Sequence, residues 1–163
     1  MSTYKQSIPQ ADTLMGSMRS MGYSFEAAIA DVIDNSISAN CNVVKLFFPS
    51  EPTDELVVGI LDDGEGMPAD VLFEAMRYGS TDSELERRAN DLGRFGLGMK
   101  SASLSQCRIL TVVSLYADKL SSYSWDFNCI QKRKEWIVKE LSQTEIKSLP
   151  YIDSLLELSH GTL

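Results

Sequence analysis

The sequence predicts an α+β sandwich of two layers, a mixed but mostly antiparallel sheet with helices packed on one face. Three observations lead there. Apolar residues recur at the 3.6-residue helical period early in the chain. Alternating runs joined by turn residues dominate later. The order, helices first and strand pairs after, differs from the strand–helix alternation of a parallel sheet. A chain of 163 residues supports one domain with a real core and is short for two.

A Met-rich, weakly amphipathic stretch over 11–21 reads as a short helix. Ser24 is a candidate N-cap for a stronger helix running to about Asn40. Its apolar positions Phe25, Ile29, Val32, Ile33 and Ile37 share one face. Two β-rich runs follow, Val43–Phe48 and Leu56–Leu61, and the second ends in the turn Asp62-Asp63-Gly64-Glu65-Gly66-Met67-Pro68. Pro68 at the first helical position and Asp70 in the first turn open a helix to about Tyr78. Residues 79–98 are polar, punctuated by glycine and expected to be mobile. A helix resumes over Gly98–Ser105. Arg108–Tyr116 and Leu120–Phe127, separated by Ala117-Asp118, predict a hairpin, with a further strand near Glu135–Glu140. Ser142 to Glu145 spells a capping box for a short helix ended by Pro150. Residues 151–158 fit helix or strand equally. The chain reaches Leu163 on what reads as the start of a strand, so one domain over 1–163, cut before a downstream domain, is expected.

A net charge of −8 argues against a nucleic-acid clamp, because non-specific binding needs a basic face. The clusters Arg87-Arg88 and Lys132-Arg133-Lys134 read as solvated faces. Cys41, Cys107 and Cys129 are odd in number and lack metal-ligand spacing, so they read as small buried hydrophobes of a reducing compartment. With His160 the only histidine, a His-based metal site or a Ser-His-Asp triad is excluded as a leading idea. No long apolar run or signal core appears, so the expected location is the cytoplasm, with no membrane partner.

Three segments carry chemistry. On the 24–40 helix, Asp31 and Asn35 stand one turn apart, flanked by Asp34 and Ser38, on a side kept low by Ala27 and Ala28. Outer faces of helices usually carry long Lys and Glu side chains; this one is short-chained and has no cation. It can lie against a bulky polar ligand, the alternative being a merely solvent-facing side. In the acidic turn, Gly64 and Gly66 let backbone approach a flat ligand, and Asp62 can accept from an exocyclic amine. An ordinary turn and a calcium loop are the competing readings, and Pro68-Ala69 interrupts the ligand register of the second. In Gly93-Arg94-Phe95-Gly96-Leu97-Gly98-Met99-Lys100, three glycines ahead of a helix N-terminus free amide groups to face an anion. Neither the Walker frame nor the dinucleotide fingerprint fits that spacing.

Taken together and in order, these segments resemble the GHKL superfamily: gyrase-type topoisomerases, ninety-kilodalton heat-shock chaperones, histidine kinases and MutL, with the MORC ATPases close by. Asp31-Val-Ile-Asp34-Asn35 is similar to the first motif, Asp62-Asp63-Gly64-Glu65-Gly66 to the second, Gly93 through Gly98 to the third, and Gly161-Thr162 to the fourth. The extension Phe95 through Ser103 looks most like the MORC and chaperone branches.

The resemblance implies the Bergerat-type sandwich, with ATP and Mg²⁺ as ligands. It makes Asn35 the protein's metal ligand and Asp62, supported by Thr162, the partner of the adenine amine. Gly64, Gly66 and Met67 would shape the adenine slot, while Gly93, Phe95, Gly96, Leu97, Gly98, Met99 and Lys100 would close over the phosphates. Asp31 stands where hydrolytic members carry a general-base Glu and is one methylene shorter; Ser38 stands where many relatives have a second Asp. The implied activity is slow ATP hydrolysis that drives a nucleotide-dependent homodimer of the full-length protein. A non-hydrolysing switch and a histidine kinase catalytic domain are the alternatives.

Overall fold

The computed structural model describes residues 7–20, 23–50, 56–77 and 98–163, with 98–100 described by their backbone. The expected mobile stretch 79–98 lies, but for Gly98, outside those residues. So do Gly93, Phe95, Gly96 and Leu97, and with them nearly all of the third motif.

Two helices open the fold: α1 (Ala11–Arg19) and α2 (Phe25–Ser38). The Ser24 hydroxyl accepts from the Ala27 amide, which fixes where α2 starts. Strands β1 (Val44–Phe47) and β2 (Gly59–Asp62) lead to α3 (Ala69–Met76). Pro68 takes the N-cap position of α3, one residue before the place expected for it. After α4 (Gly98–Gln106) comes the hairpin of β3 (Ile109–Tyr116) and β4 (Lys119–Asp126). Ala117 and Asp118 both adopt positive φ at its tip, the backbone of a two-residue turn matched to strand twist.

The helix α5 (Phe127–Arg133) was not expected. Its signal is Asp126, whose carboxylate accepts from the Asn128 and Cys129 amides. The expected strand after it shrinks to β5 (Lys139–Glu140). The capping box forms as read and starts α6 (Gln143–Lys147). The ambiguous 151–158 segment is helical, α7 (Ile152–Leu156), and β6 (Gly161–Thr162) closes the sheet.

The strand order is β1-β2-β6-β3-β4-β5, and every described pairing is antiparallel. This is the α+β class expected from the sequence, with the difference that short helices also lie against the second face of the sheet. Residue parity on β3 separates two cores. Val112, with Leu110 beside it, packs with Trp125 against Ala11 and Met15 of α1, Leu72 and Met76 of α3, and Leu104 of α4. Val113 and Leu115 point the other way, into a smaller cluster with Leu61, Ile146, Ile152 and Leu155, so the short α6 and α7 cover the second face.

The expected apolar stripe of α2 is only partly realised. Ile29, Val32 and Ile33 are half-buried, Phe25 and Ile37 are exposed, and the deepest residues are Ala28 and Ser36. Small residues go deepest because α2 lies close along α4 and meets the sheet through a polar contact. The end of α4 is tied to the start of α2, where Gln106 donates to the Tyr23 carbonyl at 2.7 Å, and to the end of α1, where the Arg19 guanidinium donates to the carbonyls of Leu104 and Cys107. Since the end of α4 meets the start of α2 and the two pack side by side, they run antiparallel. Over the roughly 13 Å length of α4, its first turn therefore lies about level with Asp31–Asn35 along α2.

Candidate functional site

The second and fourth motifs meet in the middle of the sheet. Asp62 pairs with Thr162, and Thr162 pairs with Ser114. Directly opposed residues project from the same face, so Asp62, Thr162 and Ser114 form a row on the face that α2 covers. Asp62 is only 6% exposed and both its oxygens are engaged. Oδ2 accepts from the Ser36 hydroxyl at 2.8 Å and Oδ1 from the Gly64 amide at 2.9 Å. A carboxylate offers about four lone-pair sites, so these two bonds orient it and leave capacity for another donor.

The acidic turn is stitched to the end of α2. The Glu65 amide donates to the Ala39 carbonyl at 3.0 Å, and the Asn40 side chain donates to Glu65 Oε1 at 2.7 Å. Asp63 Oδ1 accepts from the Asn42 and Val43 amides. Those amides, Val43 foremost, hold the Asp63 carboxyl below the usual carboxylate range, and the nearby His160 adds to it. His160 Nδ1 lies 2.6 Å from the Gly64 carbonyl; a carbonyl only accepts, so this nitrogen carries the proton.

Both glycines of the turn are dictated by space. A Cβ on Gly64 would fall 2.9 Å from Ala39 Cβ and from its carbonyl oxygen. Gly66 has φ +67°, and a Cβ there would fall 2.3 Å from the Leu115 carbonyl oxygen. Met67 follows, its amide donating to Ser114 Oγ at 2.6 Å.

On α2 the Asn35 side-chain amide donates to the Asp31 carbonyl at 2.8 Å, and the Ser38 hydroxyl donates to the Asp34 carbonyl at 2.9 Å. With its NH₂ turned to the helix, Asn35 keeps its amide oxygen for a ligand. That oxygen suits a hard cation. No cluster of three or more His, Cys, Asp or Glu able to hold a metal occurs among the described residues, so a cation here would depend on ligand oxygens as well. The Tyr23 phenol faces the Asp31 carboxylate; hydrogen bonding to it, with burial and its charge, holds the phenol above the usual tyrosine range.

The structure therefore brings Asp62, Gly64, Gly66, Met67 and Thr162 together, with Asp31 and Asn35 on the helix beside them. Gly98, Met99 and Lys100 form the first turn of α4. Sequence reading missed Ser36, Ser114, Ala39 and His160. Ser36 carried a signal, a polar residue on the sheet-facing side of α2, and His160 another as the neighbour of Gly161. Ser114 had none beyond being a hydroxyl in an apolar run. The cysteines are free and half-buried.

A deep carboxylate at a strand end, an open glycine turn and a helix bearing Asp and Asn define an α+β nucleotide-binding domain. Residues 23–162 match the family of histidine kinase-, DNA gyrase B- and HSP90-like ATPases, and the chain belongs to that family. ATP binding goes with this domain. No individual curated protein matches the sequence. No helix among the described residues is long and apolar enough to cross a membrane.

Proposed function

We propose that this domain binds Mg-ATP, with the adenine against the Asp62–Thr162 row and the phosphates between α2 and the first turn of α4, and that it hydrolyses the nucleotide slowly. The observation that carries the reading is Asp62, buried, held at both oxygens and still able to accept from an amine. Thr162 stands beside it in register and supports the same polar network. Gly64 and Gly66 leave the turn bare where a flat base approaches, and Met67 borders that slot.

Asn35 is the protein oxygen for Mg²⁺. Its amide oxygen would hold the metal, which would supply neutralisation of the phosphate charge. The N-terminal end of α4 supplies amides and the positive end of its dipole on the same side. Gly93 through Gly98 and Lys100 are assigned to the phosphates on the sequence resemblance. Asp31, one turn before Asn35, is the general base that takes the proton of the attacking water. In the full-length protein the nucleotide state controls a homodimer.

Calorimetry with ATP, ADP and GTP tests the base site. Adenine nucleotides are expected to bind in preference to GTP, because guanine carries a carbonyl where adenine carries the amine that Asp62 accepts from. Equal affinity for GTP removes Asp62 from this role. A second reading, a non-hydrolysing switch, is favoured by the short reach of Asp31, and absence of turnover in the full-length protein would select it.

A further inference from the structure

We propose that Ser114 on β3 is a positioning residue for the base slot, setting where Met67 stands and hence how well an adenine nucleotide fits. The inference rests on the adenine-slot reading and adds to it a residue outside every motif. Ser114 is fully buried in a run whose neighbours Val112, Val113 and Leu115 are all core residues. A hydroxyl is costly in such a place unless it is paired. Its oxygen is paired with the Met67 amide at 2.6 Å, the one backbone donor between Gly66, at positive φ, and Pro68, which has no N–H. The next residue, Leu115, presents its carbonyl where a side chain on residue 66 would lie. Two consecutive residues of β3 thus form the bed on which Gly66 and Met67 rest.

Register completes the case. Ser114 opposes Thr162, which opposes Asp62, so the hydroxyl anchoring the slot wall belongs to the same row as the carboxylate that receives the base. Accepting from Met67 uses one lone pair and leaves the Ser114 proton free to donate within that row. Loss of the hydroxyl leaves the Met67 amide without its partner and the turn free to shift along β3.

The test is Ser114→Ala in the full-length protein, with Ser114→Cys as a weaker-acceptor variant of nearly the same shape. ADP and inorganic tripolyphosphate are titrated by calorimetry, and exchange of the Met67 amide is followed without ligand. The expected result is ADP affinity lowered about tenfold in Ser114→Ala, a smaller loss in Ser114→Cys, unchanged tripolyphosphate affinity and faster Met67 exchange. Equal losses for ADP and tripolyphosphate would mark a general packing defect and overturn the proposal, as would parental Met67 exchange. Asp62→Asn separates the two levels. If it weakens ADP binding while Ser114→Ala does not, Ser114 alone is removed; if neither matters, the adenine-slot reading falls with it.

Discussion

The base end and the metal end of the site are built differently. Around Asp62, the sheet, the turn and the end of α2 share at least seven hydrogen bonds, among them Ser36 to Asp62, Gly64 to Asp62, Met67 to Ser114 and Glu65 to Ala39. Around Asn35, the backbone-directed contacts run within α2 itself, from Asn35 back to Asp31 and from Ser38 back to Asp34. Among the described residues, the one tie from outside the helix is the Tyr23 phenol on the Asp31 carboxylate. A buried carboxylate must be satisfied before any ligand arrives, because an unpaired charge in the core is expensive. A half-buried carboxylate, Asp31, and an exposed amide, Asn35, can wait for ligand oxygens. The base end is preorganised by folding, while the metal end takes its coordination from what binds.

Breaking that contrast at the metal end should give the largest effect. Asp31→Asn in the full-length protein is expected to lower ATP turnover by roughly 10²–10⁴, the usual worth of a general base, with ATP affinity nearly intact. Steady-state hydrolysis beside calorimetry reads both, and parental turnover in the variant ends the assignment. Asp31→Glu is expected to keep or raise turnover.

At the base end, substitutions should act on binding and on stability together. Asp62→Asn is expected to cost roughly 1–3 kcal/mol of ADP binding, as for a mismatched buried hydrogen-bond partner. Gly66→Ala forces a side chain into positive φ against the Leu115 carbonyl, and about 1–3 kcal/mol of stability should go, measured by urea unfolding. An unchanged midpoint would mean that the turn is not held as described.

Ser36→Ala is a milder cut at the same end. It removes one bond to the Asp62 carboxylate, with an expected loss of about 1–2 kcal/mol in stability and a smaller loss in ADP affinity. Should ADP affinity fall as far as in Asp62→Asn, Ser36 itself would have to be a base contact.

The smallest effect lies away from the site and serves as a control. Lys139, together with the Ser142 amide and hydroxyl, holds the Glu145 carboxyl down at about 2 against an ordinary value of 4.5. A depressed carboxyl stabilises the fold fully above its unfolded pKa. That contribution is lost as pH falls from about 4.5 toward 2. In Glu145→Gln this part of the acid dependence should vanish from unfolding curves recorded across that window, while nucleotide affinity at neutral pH stays parental.

Much of the fold was legible because its signals are local. Ser24 and the Ser142–Glu145 box announce helix starts through side chains that reach only three residues. The hairpin is written in alternation and in the two residues at its tip. The helix α5 escaped because Asp126 closes a strand and caps a helix at once, and the alternating pattern running into Phe127 hid the change of period. The apolar stripe of α2 misled for a related reason. Periodicity tells which residues share a side, while depth depends on what packs there, and close contact with α4 put Ala28 and Ser36 lowest.

By itself, then, the sequence determined the order of elements, the candidates Asp31, Asn35, Asp62, Gly64, Gly66 and Thr162, and their family. Each belongs to a short motif whose chemistry is readable from residue type and spacing. Only the tertiary structure decided that β6 lies between β2 and β3, so that Asp62, Thr162 and Ser114 become neighbours although up to 100 positions separate them. It also decided that Ser36 rather than an apolar residue meets the sheet. Neither could be read beforehand, because strand pairing and helix depth are set by how distant segments share one core, and no local pattern encodes a partner so far along the chain.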